Sequence, residues 1–221
     1  GAERIELIKG PGSLLYGSDA LGGAVRVLPP ATPDNRTVHV ELEGVARSVN
    51  EHLGGSVSAG TRQGPFWMQG RYSRQAFGDF AVPAKTFVFQ GFELDIVDGL
   101  LKNTAGREEA ASLSLGWIGD HHTQRLHLSR FDQAVGLFSG AVGIPRSYAL
   151  GDDGDRRDID NPSQAVRHDK LSYRYTLDGF RWDWTFDAGL QRNLRREFSF
   201  PEFHSLPVVD PTDNLALELD L

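Results

Sequence analysis

Apolar and polar residues alternate along most of the chain beyond residue 37. In residues 38–43, Val and Leu alternate with His and Glu, and residues 182–191 repeat this pattern with Trp, Phe, Ala and Leu at every second position. Because successive side chains of a strand point to opposite faces, the spacing predicts strands with one apolar and one polar face. Eight such strands are predicted, at about residues 38–43, 53–62, 66–73, 111–117, 125–129, 171–177, 182–191 and 215–221.

The predicted strands are joined alternately by tight turns and by long segments. The tight turns are at residues 63–65, 119–121 and 178–179, and the long segments are at about 78–108, 132–168 and 197–213. Only the link near Asn50 and Glu51 breaks this rule by being short. Short turns on one rim and long loops on the other are typical of outer-membrane barrels, whereas a soluble β-sandwich has no reason to sort its loops. We therefore predict an all-β chain that forms part of an antiparallel transmembrane β-barrel.

Aromatic and charged residues fit opposite faces of such a barrel. Six aromatic residues are candidates for the girdles at the membrane interface, with an ordinary packed core as the alternative: Tyr72, Trp117, Tyr173, Tyr175, Trp182 and Trp184. Five charged residues are expected to face the lumen: Arg71, Arg125, Arg174, Asp183 and Asp187. Since an unpaired charge in lipid is costly, this sorting favours a membrane barrel.

Composition narrows the choice of class without deciding it. A hydrophobic content of 39% suits both a soluble β-domain and a barrel whose strands need an apolar residue only at every second position. No apolar run is long enough for a membrane helix. The absence of cysteine excludes a disulfide scaffold and a cysteine-based zinc site. A net charge of -7 argues against nucleic acid as a partner.

The opening segment consists of two short β-prone runs joined by a glycine-rich turn. Gly12 and Gly17 have the spacing of a phosphate-binding Walker A loop, but Ser18 stands in place of its lysine and Asp19 would repel phosphate. A dinucleotide fingerprint fails because Leu15 occupies its third glycine position. The glycines are therefore expected to permit tight turns.

Residues 3–27 read ERIELIKGPGSLLYGSDALGGAVRV. This segment resembles the end of the plug domain of TonB-dependent outer-membrane receptors, in which RIEVIRGP precedes LYG and then A-x-GG-V-I-N-I. The matching positions are Arg4, Ile5, Glu6, Ile8, Gly10, Pro11, Leu15, Tyr16, Gly17, Ala20, Gly22, Gly23 and Val25. The resemblance implies a structural role, the shaping of the last turn of a plug, for Gly10, Pro11, Tyr16, Gly17, Gly22 and Gly23.

The resemblance also divides the chain. Residues 1–30 are expected to be the C-terminal part of a plug, residues 31–36 a linker, and residues 37–221 the N-terminal portion of the barrel. A barrel that holds a folded plug needs about 22 strands, of which this chain supplies about eight. Because the sequence also shows no initiator Met or signal peptide and stops within a predicted strand, we expect an internal fragment.

The function implied by the resemblance is import of a scarce nutrient across the outer membrane of a Gram-negative bacterium. A ferric siderophore, haem or cobalamin is the expected substrate, and outer-membrane lipid and the inner-membrane TonB complex are the expected partners. No cofactor is expected. The alternatives are a passive barrel, such as a porin or adhesin, which gives no reason for the opening motif, and a soluble β-sandwich binding module.

Several residues are candidates for binding or catalysis. His52, His168 and His204 lie on or beside predicted outer loops, where they could contact a haem or metal chelate. Asp152, Asp153 and Asp155 offer oxygens for calcium, although Arg156 and Arg157 interrupt an EF-hand spacing and a solvated acidic loop is the simpler interpretation. No nucleophile motif surrounds any serine, so we predict that the chain is not an enzyme.

Overall fold

The computed structural model describes residues 4–9, 23–28, 31–34, 36–89, 91–138, 155–198 and 216–220. In these ranges the regular elements are strands and one 3-10 turn at Val97–Gly99, which confirms the all-β prediction. None of the described helices is long and apolar enough to cross a membrane. The strands are β1 (Arg4–Lys9), β2 (Gly23–Leu28), β3 (Val38–Arg47), β4 (His52–Gln63), β5 (Phe66–Phe77), β6 (Phe80–Ala81), β7 (Thr86–Phe89), β8 (Phe92–Asp95), β9 (Leu100–Leu101), β10 (Gly106–Ile118), β11 (His122–Gly136), β12 (Ser163–Asp178), β13 (Asp183–Phe198) and β14 (Ala216–Asp220).

The eight long strands form one antiparallel meander in the order β3-β4-β5-β10-β11-β12-β13-β14. These are the eight strands predicted from alternation. All of them lie in a single sheet, which is the arrangement of a barrel wall and differs from the two packed sheets of a sandwich. The sheet is not closed: β3 and β14 are its edges.

Three of the strands extend well beyond the predicted limits. β11, β12 and β13 contain 15, 16 and 16 residues, so β11 and β12 pair through residues that alternation had assigned to the long segment at 132–168. In their outer parts, charged residues replace the apolar ones on the face of the leucines, which hides the period of two. The predicted strand ends were therefore wrong, although the strands themselves were right.

The two faces of the sheet differ in composition, as predicted. On the apolar face, paired residues form cross-strand rows, one of which is Leu113, Leu128, Leu171 and Leu190. Large apolar side chains on this face are exposed, up to 76% for Leu42. The opposite face, called the polar face, carries Glu, Asp, Arg, Ser and His side chains. Such an exposed apolar surface requires a cover.

The two rims of the sheet differ in the length of their connections. The short-turn rim has the turns 64–65, 119–121 and 179–182, and Gly64 has the positive φ of 61° that a tight hairpin turn requires. The long-loop rim has the turn 48–51 and the long connections 78–105, 137–162 and 199–215. The first long connection contains two small antiparallel pairs, β6 with β9 and β7 with β8.

Most of the buried residues lie at the long-loop rim. Residues 48–51, 78–82, 99–105, 136–137 and 155–162, here called the loop cluster, are joined by backbone and side-chain hydrogen bonds. Ala105 is fully buried, and Asn50, Asp79 and Lys102 are less than one tenth exposed. The loop cluster is thus the most densely packed part of the described chain.

The N-terminal residues form a separate hairpin, followed by the segment that leads to β3. β1 pairs with β2 over its whole length, as the two β-prone runs predict. Pro33 is buried, and its Cγ lies 3.0 Å from the position that a Cβ on Gly60 of β4 would occupy. The Arg36 N–H donates to the Arg62 carbonyl at 2.8 Å. The segment before β3 is therefore attached to β4 near the short-turn rim.

Candidate functional site

The polar face carries a connected set of ion pairs and hydrogen bonds across β3, β4 and β5. Arg71 forms an ion pair with Glu43, and its Nη2 donates to Ser56 Oγ at 2.8 Å. Ser56 Oγ donates to Glu43 Oε2 at 2.8 Å, and Ser58 Oγ donates to Glu41 Oε2 at 3.3 Å. These side chains meet because strand pairing places them opposite one another on one face. The face is thus ordered by its own contacts.

A second group on the polar face surrounds Trp67. Its ring is only 6% exposed and covers Gly116, where a Cβ would collide with the ring. The Arg125 guanidinium lies 5.3 Å from the centroid of the same ring, within the range of a cation–π contact. Beside this group, Ser114 Oγ and His127 Nδ1 are hydrogen-bonded at 2.8 Å. The absence of a side chain at Gly116 therefore leaves the space that the Trp67 ring occupies.

A cleft of about 890 Å³ lies along the polar face. It is lined by carboxylates, a guanidinium, hydroxyls and imidazoles, including those of Glu41, Glu43, Arg71, Ser112, His127 and His168, together with Ala31 from the segment before β3. A surface with donors and acceptors of both charges can hold polar groups of a peptide or a solute by hydrogen bonds. Across the described residues, no three His, Asp or Glu side chains are arranged to hold a metal ion.

Arg156 joins three separate loops of the loop cluster. Its Nη1 donates to Glu51 Oε1 at 3.0 Å, and its Nη2 donates to the carbonyls of Asp79 at 2.9 Å and Val49 at 3.4 Å. Its own carbonyl accepts the Asp79 N–H at 2.7 Å. Gly78 permits this approach, because a Cβ there would lie 2.6 Å from the Arg156 carbonyl oxygen. One side chain thus fixes the turn after β3 and the loop after β5.

The Asp79 carboxylate binds the end of the same loop. Its Oδ1 accepts the Thr104 N–H at 2.8 Å and the Ala105 N–H at 3.2 Å. Burial raises the pKa of the Asp79 carboxyl, since the two N–H donors and the nearby cations Lys102 and Arg156 offset the loss of hydration only in part. The folded loop cluster therefore favours the protonated form of this carboxyl more than water does.

Asn103 supplies the remaining connection within the loop cluster. Its Nδ2 donates to the carbonyls of Leu137 at 3.0 Å and Pro162 at 2.8 Å, and its Oδ1 accepts the Asp160 N–H at 3.0 Å. Its backbone has a φ of 58°, a left-handed conformation that Asn tolerates better than most residues. The loop after β11 is thereby bound to the loop after β5.

The three histidines predicted to bind ligand are not brought together. His52 begins β4, is 6% exposed, and forms a hydrogen bond from Nε2 to Gln75 Oε1 at 3.0 Å, so it has the contacts of a buried structural histidine. His168 lies within β12 instead of beside a loop, and it lines the cleft on the polar face. His204 lies outside the described residues. Of the two that are described, only His168 borders this cleft.

The other predicted site residues are only partly described. Gly23 begins β2 opposite Lys9, whereas Gly10, Pro11, Tyr16, Gly17 and Gly22 lie outside the described residues. Asp152 and Asp153 also lie outside them. The Asp155 Oδ1 accepts the Arg157 N–H at 2.9 Å, a local turn contact that does not require a metal. The suggested calcium site stays a prediction.

Sequence reasoning missed the residues that organise the loop cluster. In the sequence Arg156 is only an interruption in an acidic run, and no pattern there singles out Asp79 or Asn103. The only local signals were Gly78 beside Asp79 and an arginine within a carboxylate-rich segment. Neither signal indicates which distant loop the side chain contacts.

Comparison with known proteins gives one partial similarity. No family model matches the chain. A stretch of 60 residues is 42% identical to the vitamin B12 transporter BtuB of Photobacterium profundum, and it covers 27% of this chain and 10% of that protein. The chain shares this stretch with a transporter. The similarity is consistent with the TonB-dependent receptor family that the opening segment resembles, and with the prediction that the chain is not an enzyme.

Proposed function

We propose that the chain is part of a TonB-dependent outer-membrane transporter that imports a scarce small-molecule nutrient. The observation that carries the proposal is the division of a single eight-stranded meander into an apolar and a polar face, with short and long connections on opposite rims. Lipid against the apolar face and water against the polar face would satisfy both surfaces. A passive barrel would share these features but would not account for the plug-like opening segment.

In this proposal the short-turn rim faces the periplasm and the long-loop rim faces the exterior. The loop cluster then lies on the extracellular side, and the cleft on the polar face lines the lumen, where the plug contacts it. Residues 1–30 belong to the plug, and residues 31–36 lead from the plug to the barrel wall. The contact between Pro33 and Gly60 supports this path.

Cobalamin is our first candidate for the nutrient, because the partial relative is a vitamin B12 transporter. Ferric siderophores and haem are the other candidates. Transport would consist of ligand binding from outside followed by movement of the plug driven through TonB, with no covalent chemistry.

The test is nutrient uptake by Gram-negative cells in which the full-length protein is the only receptor for these compounds. Labelled cobalamin, ferric siderophore and haem are supplied separately to cells that contain or lack TonB. We expect one of the three to accumulate only when TonB is present. TonB-independent passage of unrelated small solutes would instead identify a passive pore and overturn the proposal.

The proposed path of the linker has its own test, which introduces two cysteines into a stretch that has none of its own. Pro33→Cys combined with Gly60→Cys brings two thiols within the range of a disulfide. We expect the cross-link to form in oxidised full-length protein in the membrane. The matched control pairs Pro33→Cys with Gly44→Cys on the apolar face and should stay reduced; similar cross-linking of both pairs would contradict the path.

A further inference from the structure

The apolar face of the sheet ends abruptly in charged residues on the side of the long-loop rim. The last apolar row consists of Gly70, Leu113, Leu128, Leu171 and Leu190. Three further rows follow it towards the long-loop rim: first Tyr72, Ala111, Arg130, Asp169 and Arg192; next Arg74, Glu109, Asp132, Arg167 and Leu194; and last Ala76, Arg107, Ala134, Ala165 and Arg196. The charged members of these three rows are here called the charged patch. They lie on the same face as the leucines, so a molecule that covers the leucines also lies next to these charged side chains.

The charged patch holds more arginines than carboxylates, although the whole chain has a net charge of -7. On β5 and β10–β13 it contains six arginines and three carboxylates, and the pairing of β14 extends two of the rows by Asp220 and by Glu218, which lies opposite Arg196. Two of the carboxylates are neutralised internally: Arg130 Nε donates to Asp169 Oδ1 and Arg167 Nε donates to Asp132 Oδ1, each at 2.6 Å. Each of these guanidinium groups has further N–H donors beyond Nε. Arg192 and Arg196 have further contacts of their own, so the positive charge that the patch leaves unneutralised lies at its other side, at Arg74 and Arg107.

Two arginines of the patch have no anionic partner of their own. Arg74 and Arg107 are exposed, and neither forms an ion pair or a hydrogen bond with the described residues. The third carboxylate, Glu109, accepts the Tyr72 hydroxyl at 3.0 Å. Exposed guanidinium groups beside an apolar surface are suited to bind phosphate, which their planar donors can grip at two oxygens.

Two adjoining grooves connect the leucine row with the charged patch. A groove of about 710 Å³ is lined at one end by leucines of the apolar row and at the other by Arg130, Asp169 and Arg192. An adjoining groove of about 560 Å³ is lined by five arginines, among them Arg74 and Arg107, and by three carboxylates, those of Glu108, Glu109 and Asp132. A molecule that fits both grooves has hydrocarbon next to an anionic group, which is the structure of a phosphate-bearing lipid.

We propose that the charged patch binds the phosphate headgroup of an anionic membrane lipid whose acyl chains lie along the leucine row. The proposal rests on the proposed function only in placing the apolar face against the membrane. Arg74 and Arg107 bind the phosphate, and the Arg130–Asp169 and Arg167–Asp132 pairs hold the neighbouring guanidinium groups in place. The lipid thereby satisfies charges that hydrocarbon alone would leave unpaired.

The test uses the purified full-length protein in neutral detergent, titrated with short-chain phosphatidate, with phosphatidylcholine of the same chains, and with inorganic phosphate. We expect phosphatidate to bind at least about tenfold more tightly than either of the others, and Arg74→Gln with Arg107→Gln to remove most of that preference. Arg47→Gln with Arg181→Gln is the matched control, because it removes the same charge from exposed sites outside the patch.

Three outcomes would overturn the proposal. Equal affinity for the two lipids would remove the role of the phosphate charge, and tight binding of inorganic phosphate would indicate a site for the free ion. An equal loss in the control variant would indicate a general charge effect. The titration requires neither nutrient nor TonB, so its failure would leave nutrient uptake intact, whereas failure of the proposed transport would leave lipid binding to be measured independently.

Discussion

The loop cluster and the eight-stranded sheet are stabilised in different ways. In the sheet, backbone ladders connect each strand to its neighbours, while most side chains remain partly exposed on both faces; Trp67 and Ser114 are the buried exceptions in its body. In the loop cluster, buried polar side chains bind backbone groups of distant loops. A single substitution should therefore lower the stability of more of the surrounding structure in the loop cluster than in the sheet. Changes at four places in the chain test this difference, in order of decreasing effect.

Arg156→Ala should have the largest effect. It removes the N–H groups that donate to the Glu51 carboxylate and to two backbone carbonyls. The loss of one partner from a half-buried polar network lowers the local stability by about 3 kcal/mol. In the full-length protein, hydrogen exchange at residues 78–81 should quicken accordingly, because local opening becomes easier. Arg157→Ala is the control, since the exposed Arg157 side chain lies 3.5 Å from Glu51 and, among the described residues, contacts no backbone carbonyl of another loop; equal exchange in both variants would contradict the role of Arg156.

Asp79→Ala should cost about 1–3 kcal/mol of local stability, because it leaves the N–H groups of Thr104 and Ala105 without their acceptor. Asp79→Asn keeps an oxygen in the same place and should cost less. The measurement is the exchange rate of these two amides in both variants. If Asn is as damaging as Ala, the buried charge matters more than the acceptor.

The same residue predicts a pH dependence with a definite sign. Because the pKa of Asp79 is raised in the folded state, the folded loop cluster binds more protons than the open one between the usual aspartate range and the raised pKa. The contribution of Asp79 is therefore greatest below this window and is lost as pH rises through it. Amide protection at Thr104 should weaken across that window in the native protein and show no such dependence in Asp79→Asn.

Gly116→Ala should disturb a side chain without opening the sheet. The new Cβ would collide with the Trp67 ring, and the ring and Arg125 must move, at a cost of about 1–3 kcal/mol. Gly44→Ala is a matched control within the sheet, because no atom lies within 4 Å of its added Cβ. Tryptophan fluorescence should shift for Gly116→Ala alone; an unchanged spectrum would contradict the packing of Trp67.

The Arg174–Asp187 pair should show the smallest effect. Two hydrogen bonds of 2.6 and 3.2 Å join these residues, but both side chains are more than half exposed. A double-mutant cycle with alanine should give a coupling of about 0.2–1 kcal/mol, which falls with added salt. A much larger coupling would mean that the polar face is less accessible to water than its exposure indicates.

Much of the sheet could be predicted from the sequence, because alternation is a local signal. Residues 66–73 and 182–191 carry a clear period of two, and the strands formed there as expected. The outer half of β12 could not be predicted in this way, since Arg167 and Asp169 resemble loop residues until their partners on β11 are known. Strand pairing, which is not a local property, decides that they belong to the sheet.

The candidate site was less predictable for the same reason. The sequence correctly placed Arg71 and Arg174 on the polar face, but it could not show that Arg71 contacts Glu43 on another strand. His52 appeared to be an accessible loop residue and is buried against Gln75. Arg156 contacts Glu51 across more than a hundred residues of chain, a relation that no motif or periodicity encodes.

The order of strands in the meander has a consequence for assembly. Since every long strand pairs with the next long strand in the chain, the sheet can grow by hairpins at a single free edge, and each addition covers the edge left by the previous one. Even the long connections delay this growth little, because the entropy of closing a loop increases only with the logarithm of its length. An early strand is thus the template for all later ones, and a defect in β4 should block growth of the sheet more completely than the same defect in β13.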